Sequence, residues 1–397
     1  MFRWMLGGRE AQSSAEKNPV LCIGEDQPKN CFTELQVLKG HFDIVRFLVQ
    51  IDDFRCASAG DDGLVLVWNI ETGERLQELR GHSQQITAIT SFTCNNGLTS
   101  HTGLITASSD RSLSLWDPDT GNRVQTISDL HSYRCQWSVT LKKLCNIRET
   151  CLTFHIQLSE MCHRNQVLVG AMSSSDGLFA SGSHAGELIL WDAIDWNILA
   201  YEHILWEESH ASAQAEIRLA APKPSEMSIQ HLSTNGKLIL AAVGSGLYVY
   251  SVQTRTVVAY RKVAHDSNVL HTMLLSDSEL MSCSEDGSVR MWEIQDLPLP
   301  AEPASPGFFG LWTFGRSNKQ TGPPSKKIVD VPNSRTLELT GDLIGHSGAV
   351  QMFVSFKENG LVTCSTDHLL ILWKNGERQS NLRSLALFQK LEENGGL

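Results

Sequence analysis

The sequence predicts an all-β protein made of repeated four-stranded antiparallel sheets, and three observations lead to this prediction. A strand, a tight turn and a second strand ending in an aromatic residue recur along the 397-residue chain. The terminal aromatic residues of regular neighbouring units lie 42 to 48 positions apart, as Tyr250 and Trp292 or Trp68 and Trp116 do. In three units a His stands 21 positions before an Asp of the turn. Recurrence at about 40 to 50 residues is typical of repeat architectures.

One unit shows why the pattern indicates a sheet. The segment 58–68 contains an Asp-Asp-Gly turn between two strands, and Asp and Gly tolerate the backbone angles of a hairpin turn. Residues 64–67 are continuously apolar, as expected where both faces of a sheet are covered. Further strands at 44–49 and 74–79 complete the four. Such a sheet cannot bury both of its faces alone, so it needs copies of itself on either side.

Four units share a His, a Ser or Thr, an Asp and a Trp at matching positions, and they resemble WD40 repeats. In that family the four residues form a buried hydrogen-bonded set in each blade, so the resemblance implies a WD40 β-propeller. The four sets, here called tetrads, are His41, Ser58, Asp62 and Trp68; His82, Thr106, Asp110 and Trp116; His265, Ser282, Asp286 and Trp292; and His346, Thr363, Asp367 and Trp373.

Two further units are incomplete. The first has His163, Ser181 and Trp191 in place, but Ala185 stands at the Asp position. The second has Tyr250 at the Trp position and no Gly-His pair before it. The sequence therefore shows six recognisable units.

The tetrads could be mistaken for catalytic groups, because His, Ser and Asp are also the residues of nucleophilic hydrolysis. Four equivalent sets at repeat spacing indicate a structural role instead, since buried polar groups normally pair with one another. The chain has no phosphate-binding loop, and its ten cysteines include no CxxC pair or common zinc spacing. We therefore expect a protein that is not an enzyme and that has no cofactor and no metal.

Charge and hydropathy limit the partners and the location. A net charge of −11 argues against a broad phosphate-binding surface, so no nucleic acid is expected as a partner. No apolar stretch reaches membrane-spanning length, and the apolar run at the N-terminus is too short for a signal peptide. We expect a cytoplasmic protein without direct membrane insertion.

The predicted organisation has three parts. Residues 1–30 are polar and are expected to be a flexible N-terminus. Residues 31–373 form the propeller, with an irregular segment at 132–161 and a long loop at 297–334. Residues 379–394 form a C-terminal α-helix. For the irregular segment three interpretations stay open: a divergent blade, an insertion, or a stretch that differs from relatives by alternative splicing or gene-model error.

The two ends of the propeller predict how the ring closes. The segment 33–38 alternates like a strand and precedes the first unit, whereas the last unit ends at Trp373 without a fourth strand of its own. Pairing the first strand with the last sheet would remove two exposed edges at once. We therefore expect the N-terminal strand to complete the last blade.

The long loop and the C-terminal tail are the candidate binding elements. Four aromatic residues lie within ten positions of the loop, and exposed aromatic side chains are costly unless something covers them. The alternatives are packing on the propeller or, as we favour, insertion into a partner's pocket. The candidate docking residues are Phe308, Phe309, Leu311, Trp312, Phe314 and Arg316.

The tail is rich in strong helix formers, and Ser380 is a fair N-cap. Its apolar residues spread around much of the circumference, so the helix requires more than one covering surface. Either the propeller or a partner could supply that surface, and we favour a partner. The candidate binding residues are Leu382, Leu385, Phe388 and Leu391.

Outside 132–161 the chain closely resembles one family of WD40-repeat proteins, on motifs that include GDDGLVLVWN, GFFGLWTFGR and LILWKNGERQSNLRSLALFQKLEENG. The resemblance implies an eight-bladed propeller. It also implies a non-catalytic adaptor in a complex with two DENN-domain proteins, acting in autophagy and small-GTPase regulation. By the same resemblance, a lysosomal PQ-loop transporter of cationic amino acids is expected to recruit that complex through the loop matching 307–316. The resemblance further implies that the N-terminal strand and the C-terminal helix contact one DENN-domain protein.

The alternative function for a WD40 protein is that of a substrate receptor in a cullin-type ubiquitin ligase. Such receptors often carry Trp-Asp-x-Arg after a blade strand. Here the corresponding sequences are WDPD at 116–119 and WDAI at 191–194, so the Arg is missing from both. The adaptor function is therefore preferred.

Overall fold

The fold is given by a computed structural model, which describes residues 32–95, 100–128, 167–172, 177–192, 197–204, 228–296 and 335–393. These ranges contain 24 strands, one short 3-10 helix at Lys357–Asn359 and one α-helix. The predicted flexible N-terminus (1–30), irregular segment (132–161) and long loop (297–334) lie outside the described residues, as does His163.

The strands are four to ten residues long and follow one another along the chain. The first twelve are β1 (Phe32–Leu38), β2 (Val45–Gln50), β3 (Arg55–Gly60), β4 (Val65–Asn69), β5 (Arg75–Leu79), β6 (Ile86–Asn95), β7 (Ser100–Ser108), β8 (Leu113–Trp116), β9 (Arg123–Ile127), β10 (Val167–Met172), β11 (Leu178–Ser183) and β12 (Glu187–Asp192). The others are β13 (Ile198–His203), β14 (Ile229–Thr234), β15 (Leu238–Val243), β16 (Gly246–Ser251), β17 (Thr256–Arg261), β18 (Val269–Leu274), β19 (Glu279–Ser284), β20 (Ser288–Asp296), β21 (Arg335–Ile344), β22 (Val350–Ser355), β23 (Leu361–Ser365) and β24 (Leu370–Asn375).

These strands form six antiparallel sheets of four strands each, which confirms the predicted all-β class. We number them in chain order: sheet 1 is β2 to β5, sheet 2 is β6 to β9, sheet 3 is β10 to β13, sheet 4 is β14 to β17, sheet 5 is β18 to β21, and sheet 6 is β22, β23, β24 and β1. The first strands of neighbouring sheets contact one another, for example β14 with β18 and β22 with β2. The first strand of each sheet is therefore the one nearest the centre of the assembly.

Sheet 6 joins the two ends of the propeller. Strand β1 pairs antiparallel with β24, and the register runs from Phe32 opposite Asn375 to Leu38 opposite Leu370. The prediction that the N-terminal strand completes the last blade is confirmed. This pairing gives β24 a neighbour on each side, which an edge strand lacks.

Apolar cores lie between neighbouring sheets. Between sheets 1 and 2, the fully buried Val65 and Val67 face Leu104 and Trp116. Equivalent clusters join sheets 3 and 4, sheets 4 and 5, sheets 5 and 6, and sheets 6 and 1. Each core joins the Trp or Tyr face of one sheet to the opposite face of the sheet before it.

The face of sheet 2 that points away from sheet 1 is covered less well than the corresponding face of sheet 1. Leu113 and Leu115 occupy the positions that Val65 and Val67 hold in sheet 1, because both hairpins end in the tetrad Trp. Val65 and Val67 are inaccessible to solvent, whereas Leu113 and Leu115 are partly exposed. Sheet 2 therefore presents an incompletely covered apolar face on the side away from sheet 1.

The C-terminal helix, α1 (Gly376–Glu393), begins directly after β24 and corrects the predicted boundaries. It starts before the predicted residue 379, and Ser380 lies inside it rather than at its N-cap. The carboxamide Oδ1 of Asn375 accepts the backbone N–H of Arg378 at 3.0 Å, which is the bond that an N-cap makes. Asn is as good an N-cap as Ser, and it stands at the end of the last strand.

Candidate partner-binding site

The tetrad of sheet 1 forms one continuous chain of hydrogen bonds. The indole N–H of Trp68 donates to the Ser58 hydroxyl at 2.8 Å, and that hydroxyl donates to Nε2 of His41 at 2.8 Å. Nδ1–H of His41 then donates to the carboxylate of Asp62 at 2.8 Å. The chain connects β3, β4, the turn between them and the segment before β2. These hydrogen bonds hold the segments of one sheet together.

The structure brings the other three tetrads together in the same way. Their three bonds each span 2.7 to 3.1 Å. They lie in sheets 2, 5 and 6 and consist of His82, Thr106, Asp110 and Trp116; His265, Ser282, Asp286 and Trp292; and His346, Thr363, Asp367 and Trp373.

The electrostatics of the tetrads favour ionised carboxylates. Burial opposes ionisation of Asp110, but hydrogen bonds from Ser112, the Ser83 N–H and His82 outweigh it and lower its pKa to about 2. The pKa of Asp62 is lowered in the same sense by its bonds from His41 and two backbone N–H groups, again against the effect of burial. Burial lowers the pKa of His346 despite the nearby Asp367.

The tetrad hydroxyls are poorly placed for catalysis. The Ser or Thr of each tetrad is inaccessible to solvent, and its oxygen accepts from the Trp while its proton goes to the His. A nucleophile needs access to a substrate carbonyl and a place for the resulting oxyanion. The tetrads therefore brace the blades and do not form a reaction site.

The two incomplete units differ in how far they keep this arrangement. In sheet 3, the Trp191 indole donates to the Ser181 hydroxyl at 2.7 Å, as in a complete tetrad. In sheet 4, Tyr250 replaces the Trp and is buried against sheet 3. Burial of the aromatic ring is thus retained in both units.

The described ranges offer no metal centre, since they contain no group of three His, Cys, Asp or Glu side chains able to hold an ion. Cys56, Cys283 and Cys364 are buried and unbonded to other cysteines, and burial raises the pKa of the Cys56 thiol to about 12. Among the residues described, none of the helical structure is long and apolar enough to cross a bilayer.

Helix α1 presents uncovered apolar side chains. Every residue from Ser380 to Lys390 is exposed. Leu382 is 48% exposed, Leu385 60% and Phe388 58%, and Leu387, which is 60% exposed, adds to them. The side chain of Leu391 lies outside the described part of the chain. Contiguous exposed apolar surface marks an interaction site more often than chance exposure does.

The beginning of α1 is attached to sheet 6. The guanidinium of Arg378 donates to the backbone carbonyl of Glu358, in the 3-10 helix between β22 and β23, at 2.6 Å. The guanidinium of Arg383 donates to the Glu34 carboxylate on β1 at 3.0 and 3.1 Å. The helix is thus held at its first two turns and extends away from the sheet beyond them.

Strand β1, which pairs with the strand that leads into α1, adds two exposed apolar residues. Leu35 is 51% exposed and Val37 is 41% exposed. The alternation at 33–38 predicts this strand but not the exposure of these two side chains. Their exposure depends on what lies outside β1, which the sequence of the strand does not show. We call Leu35, Val37, Leu382, Leu385, Leu387 and Phe388 the helix–strand surface.

The predicted docking residues of the long loop lie outside the described residues, but both ends of the loop are described. Strands β20 and β21 pair as far as Asp296 and Arg335, whose side chains form an ion pair at 2.7 Å. In sheets 5 and 6 the third strand begins at the turn that carries the tetrad Asp. Strands β20 and β24 are these third strands, so the loop and α1 both leave the face opposite the tetrad turns.

The chain matches known proteins along nearly its whole length. The WDR41 β-propeller family model matches residues 1–147 and 139–383. Human WD repeat-containing protein 41 is 46% identical over 457 aligned positions, which cover 100% of this chain and 99% of the relative. The mouse protein of the same name is 44% identical over the same coverage. The crystal structure of the WD40 β-propeller domain of Doa1 matches at a TM-score of 0.46 and 14% identity, covering 85% of this chain and 95% of the other.

The match also locates a difference in length. An alignment of 457 positions with a chain of 397 residues leaves at least 60 positions with no counterpart here, the difference between the two numbers. The two family matches meet at 139–147. That junction falls within the segment 132–161, which the sequence marks as irregular.

Proposed function

The chain belongs to the family of WD repeat-containing protein 41, and from this premise we propose that it is the adaptor subunit of a complex with two DENN-domain proteins. A WD40 propeller of this family is a scaffold, which agrees with the structural role of the tetrads. In the proposed complex the protein has no catalytic task. The complex acts in autophagy and small-GTPase regulation, and it gathers on the cytoplasmic side of lysosomes.

The observation that carries the proposal is the helix–strand surface. Several large apolar side chains of α1 and β1 are about half exposed or more, on elements that are firmly attached to sheet 6. A helix whose apolar residues lie on several sides needs a concave partner to cover them, as in helix-in-groove recognition. We propose that one DENN-domain protein supplies that cover.

The second contact in the proposal is the long loop. Phe308, Phe309, Leu311, Trp312, Phe314 and Arg316 would enter a lysosomal PQ-loop transporter of cationic amino acids, and this contact recruits the complex. The ends of the loop in sheet 5 and the base of α1 in the adjacent sheet 6 lie on the same face of the propeller. This placement supports an adaptor that joins two partners across one face.

The test is a pull-down from cytosolic and lysosomal extracts with paired variants. Leu385→Asp with Phe388→Asp should release both DENN-domain proteins, because a carboxylate in an apolar groove is strongly disfavoured. Phe309→Ala with Trp312→Ala should release the transporter and spare the DENN-domain proteins. Val124→Asp, on the exposed strand β9 of sheet 2, is the matched control because Val124 is 63% exposed.

The outcomes separate the two contacts. Retention of the DENN-domain proteins by the helix variant at wild-type levels would contradict the helix–strand contact. Retention of the transporter by the loop variant would contradict the loop contact. If the wild-type chain captures none of these proteins, the proposed function is wrong.

A further inference from the structure

We propose that Glu34 and Arg383 are positioning residues that set the direction in which α1 leaves the propeller. The proposal deepens the proposed function and rests on it for its binding readout. It differs from the binding role of the apolar residues, because neither Glu34 nor Arg383 needs to touch the partner. It follows from how the base of the helix is attached.

Three attachments hold α1, and they come from different elements. The Asn375 cap joins the helix to the end of β24. Arg378 reaches the segment between β22 and β23, where it meets both the carbonyl and the carboxylate of Glu358. Arg383 reaches β1, where it meets both oxygens of Glu34. Each attachment lies at a different point of the helix surface.

Helix geometry shows why the pair with Glu34 matters most for direction. Arg378 and Arg383 are five residues apart, which places them about 140° apart around the axis and about 7.5 Å apart along it. The first contact fixes a point at the base. The second acts further along the helix and on another side, so it restrains tilt. The described side chains from Ser384 to Lys390 are exposed rather than packed against the sheets.

Close packing at the base supports the same inference. A Cβ on Gly376 would overlap the Thr33 hydroxyl, so the absence of a side chain lets the helix begin directly against β1. Thr33 is the neighbour of Glu34 in the same strand. The residue pair at 33 and 34 therefore contacts α1 at its start and again about two turns later.

The direction of α1 has a consequence for binding. A helix held in one direction presents its apolar residues without first losing rotational freedom, and preorganisation of this kind raises affinity by reducing the entropic cost of association. An exposed ion pair contributes modestly to stability. Its loss should therefore change the orientation of the helix and the affinity for the partner while the propeller stays folded.

The experiment uses charge reversal in the full-length chain. Glu34→Arg and Arg383→Glu each place like charges together and should weaken binding of the purified DENN-domain proteins about three- to tenfold. The double variant, Glu34→Arg with Arg383→Glu, restores opposite charges and should bind within about twofold of wild type. Lys237→Glu is the matched control, since Lys237 pairs with Asp277 far from α1 in sequence and in another part of the propeller.

A second readout does not depend on any partner. Spin labels carried by unnatural amino acids at positions 389 and 262, both exposed, report the distance from helix to propeller by pulsed electron resonance. Unnatural amino acids are needed because the chain has ten cysteines. We expect one narrow distance distribution for the wild type, a broader or displaced one for each single reversal, and recovery in the double variant.

The two readouts distinguish the failures. Single reversals that leave the distance distribution unchanged, or a double variant that fails to restore it, would overturn the positioning role. A wild-type chain that shows the expected distances but binds neither DENN-domain protein would leave the positioning role standing and refute the proposed function.

Discussion

At the scale of single residues, the tetrad histidines differ from two other histidines of the sheets. Those of the tetrads face a carboxylate, whereas His231 on β14 and His271 on β18 do not. Nδ1 of His231 accepts the backbone N–H of Thr272 at 3.2 Å, so it must stay unprotonated. The His271 ring lies 4.2 Å from that of His231 and packs edge-on against Phe353, and its buried Nδ1 has no hydrogen-bond partner among the described residues.

The surroundings of this pair favour neutral imidazoles. Burial lowers the pKa of His231 to about 4. Burial and the proximity of His231 lower the pKa of His271 well below its usual value. Strands β14, β15, β18 and β22 contain no Asp, Glu, Lys or Arg that could offset a positive charge. Strand β19 pairs with β18 and places Cys283 opposite His271, and its one charged residue, Glu279, is exposed at the far end of the strand.

The pair predicts a loss of stability in mild acid. Both folded-state pKa values lie below the unfolded value of 6.5, so the unfolded chain takes up protons first as the pH falls. The contribution is complete above pH 6.5 and should decline towards about pH 4, by about 1.4 kcal/mol per pH unit for each imidazole. Urea unfolding between pH 7.5 and 5.5 measures this slope.

His271→Phe tests the assignment, because Phe preserves the ring contact and, within the described part of the chain, His271 Nδ1 has no hydrogen bond to lose. The variant should reduce the slope by about 1.4 kcal/mol per pH unit and unfold no more easily than wild type at pH 7.5. His368→Asn, at an exposed residue with a left-handed backbone, is the control and should leave the slope unchanged. An unaltered slope in His271→Phe would show that the pair does not titrate as described.

At the scale of elements, turn chemistry made most of the fold predictable. Asp-Asp-Gly at 61–63 and its counterparts mark the hairpins, and the apolar strands after them follow from the need to cover both sheet faces. The start of α1 could not be predicted from the sequence, because Asn375 is both the last residue of a strand and the N-cap of the helix. Residue preferences for the N-cap position alone favour Ser380. The exposure of Leu35 and Val37 could not be predicted, because it depends on what lies outside β1.

The pairing of β1 with β24 gives a prediction at this scale. A chain that begins at Gly40 lacks β1 and leaves the backbone of β24 unpaired along one edge. It also loses Leu38, which is 2% exposed in the core between sheets 6 and 1. We expect the melting temperature to fall by about 5 °C or more, with aggregation through the open edge.

The control is a chain that begins at Phe32 and so keeps β1. It should melt like the full-length protein and elute as a single species in size-exclusion chromatography. If the chain that begins at Gly40 behaves the same way, β1 does not contribute to closing the ring.

At the scale of the whole molecule, the junctions between sheets differ. Among the described residues, apolar cores join five pairs of neighbouring sheets, and sheet 2 is joined in this way to sheet 1. The spacing of 75 residues between Trp116 and Trp191 already marked this region as irregular. Spacing alone could not show that the alignment with a relative contains at least 60 positions that have no counterpart in this chain, because that requires comparison with a longer chain.

Equivalent substitutions on sheets 1 and 2 should therefore have unequal effects. Val67→Asp buries a carboxylate in the core between sheets 1 and 2 and should cost more than about 4 kcal/mol, enough to prevent folding. Leu115→Asp, at the matching position of sheet 2, places the charge where the side chain is partly exposed and should cost about 2 kcal/mol or less. Soluble yield and urea unfolding compare the two, and equal costs would contradict the difference between these faces.

The pairing of β1 with β24 also determines the order of events during synthesis. Strand β1 can pair only after β24 has been synthesised, and β24 begins at Leu370, 338 residues after Phe32. At 5 to 20 residues per second this delay is roughly 20 to 70 s, during which the nascent chain carries an unpaired strand that chaperones must shield. Because α1 follows β24 directly, the ribosome adds the helix only after every strand of the ring has been made. A partner that recognises α1 next to a paired β1 therefore selects chains in which β24 has been made and has paired with β1.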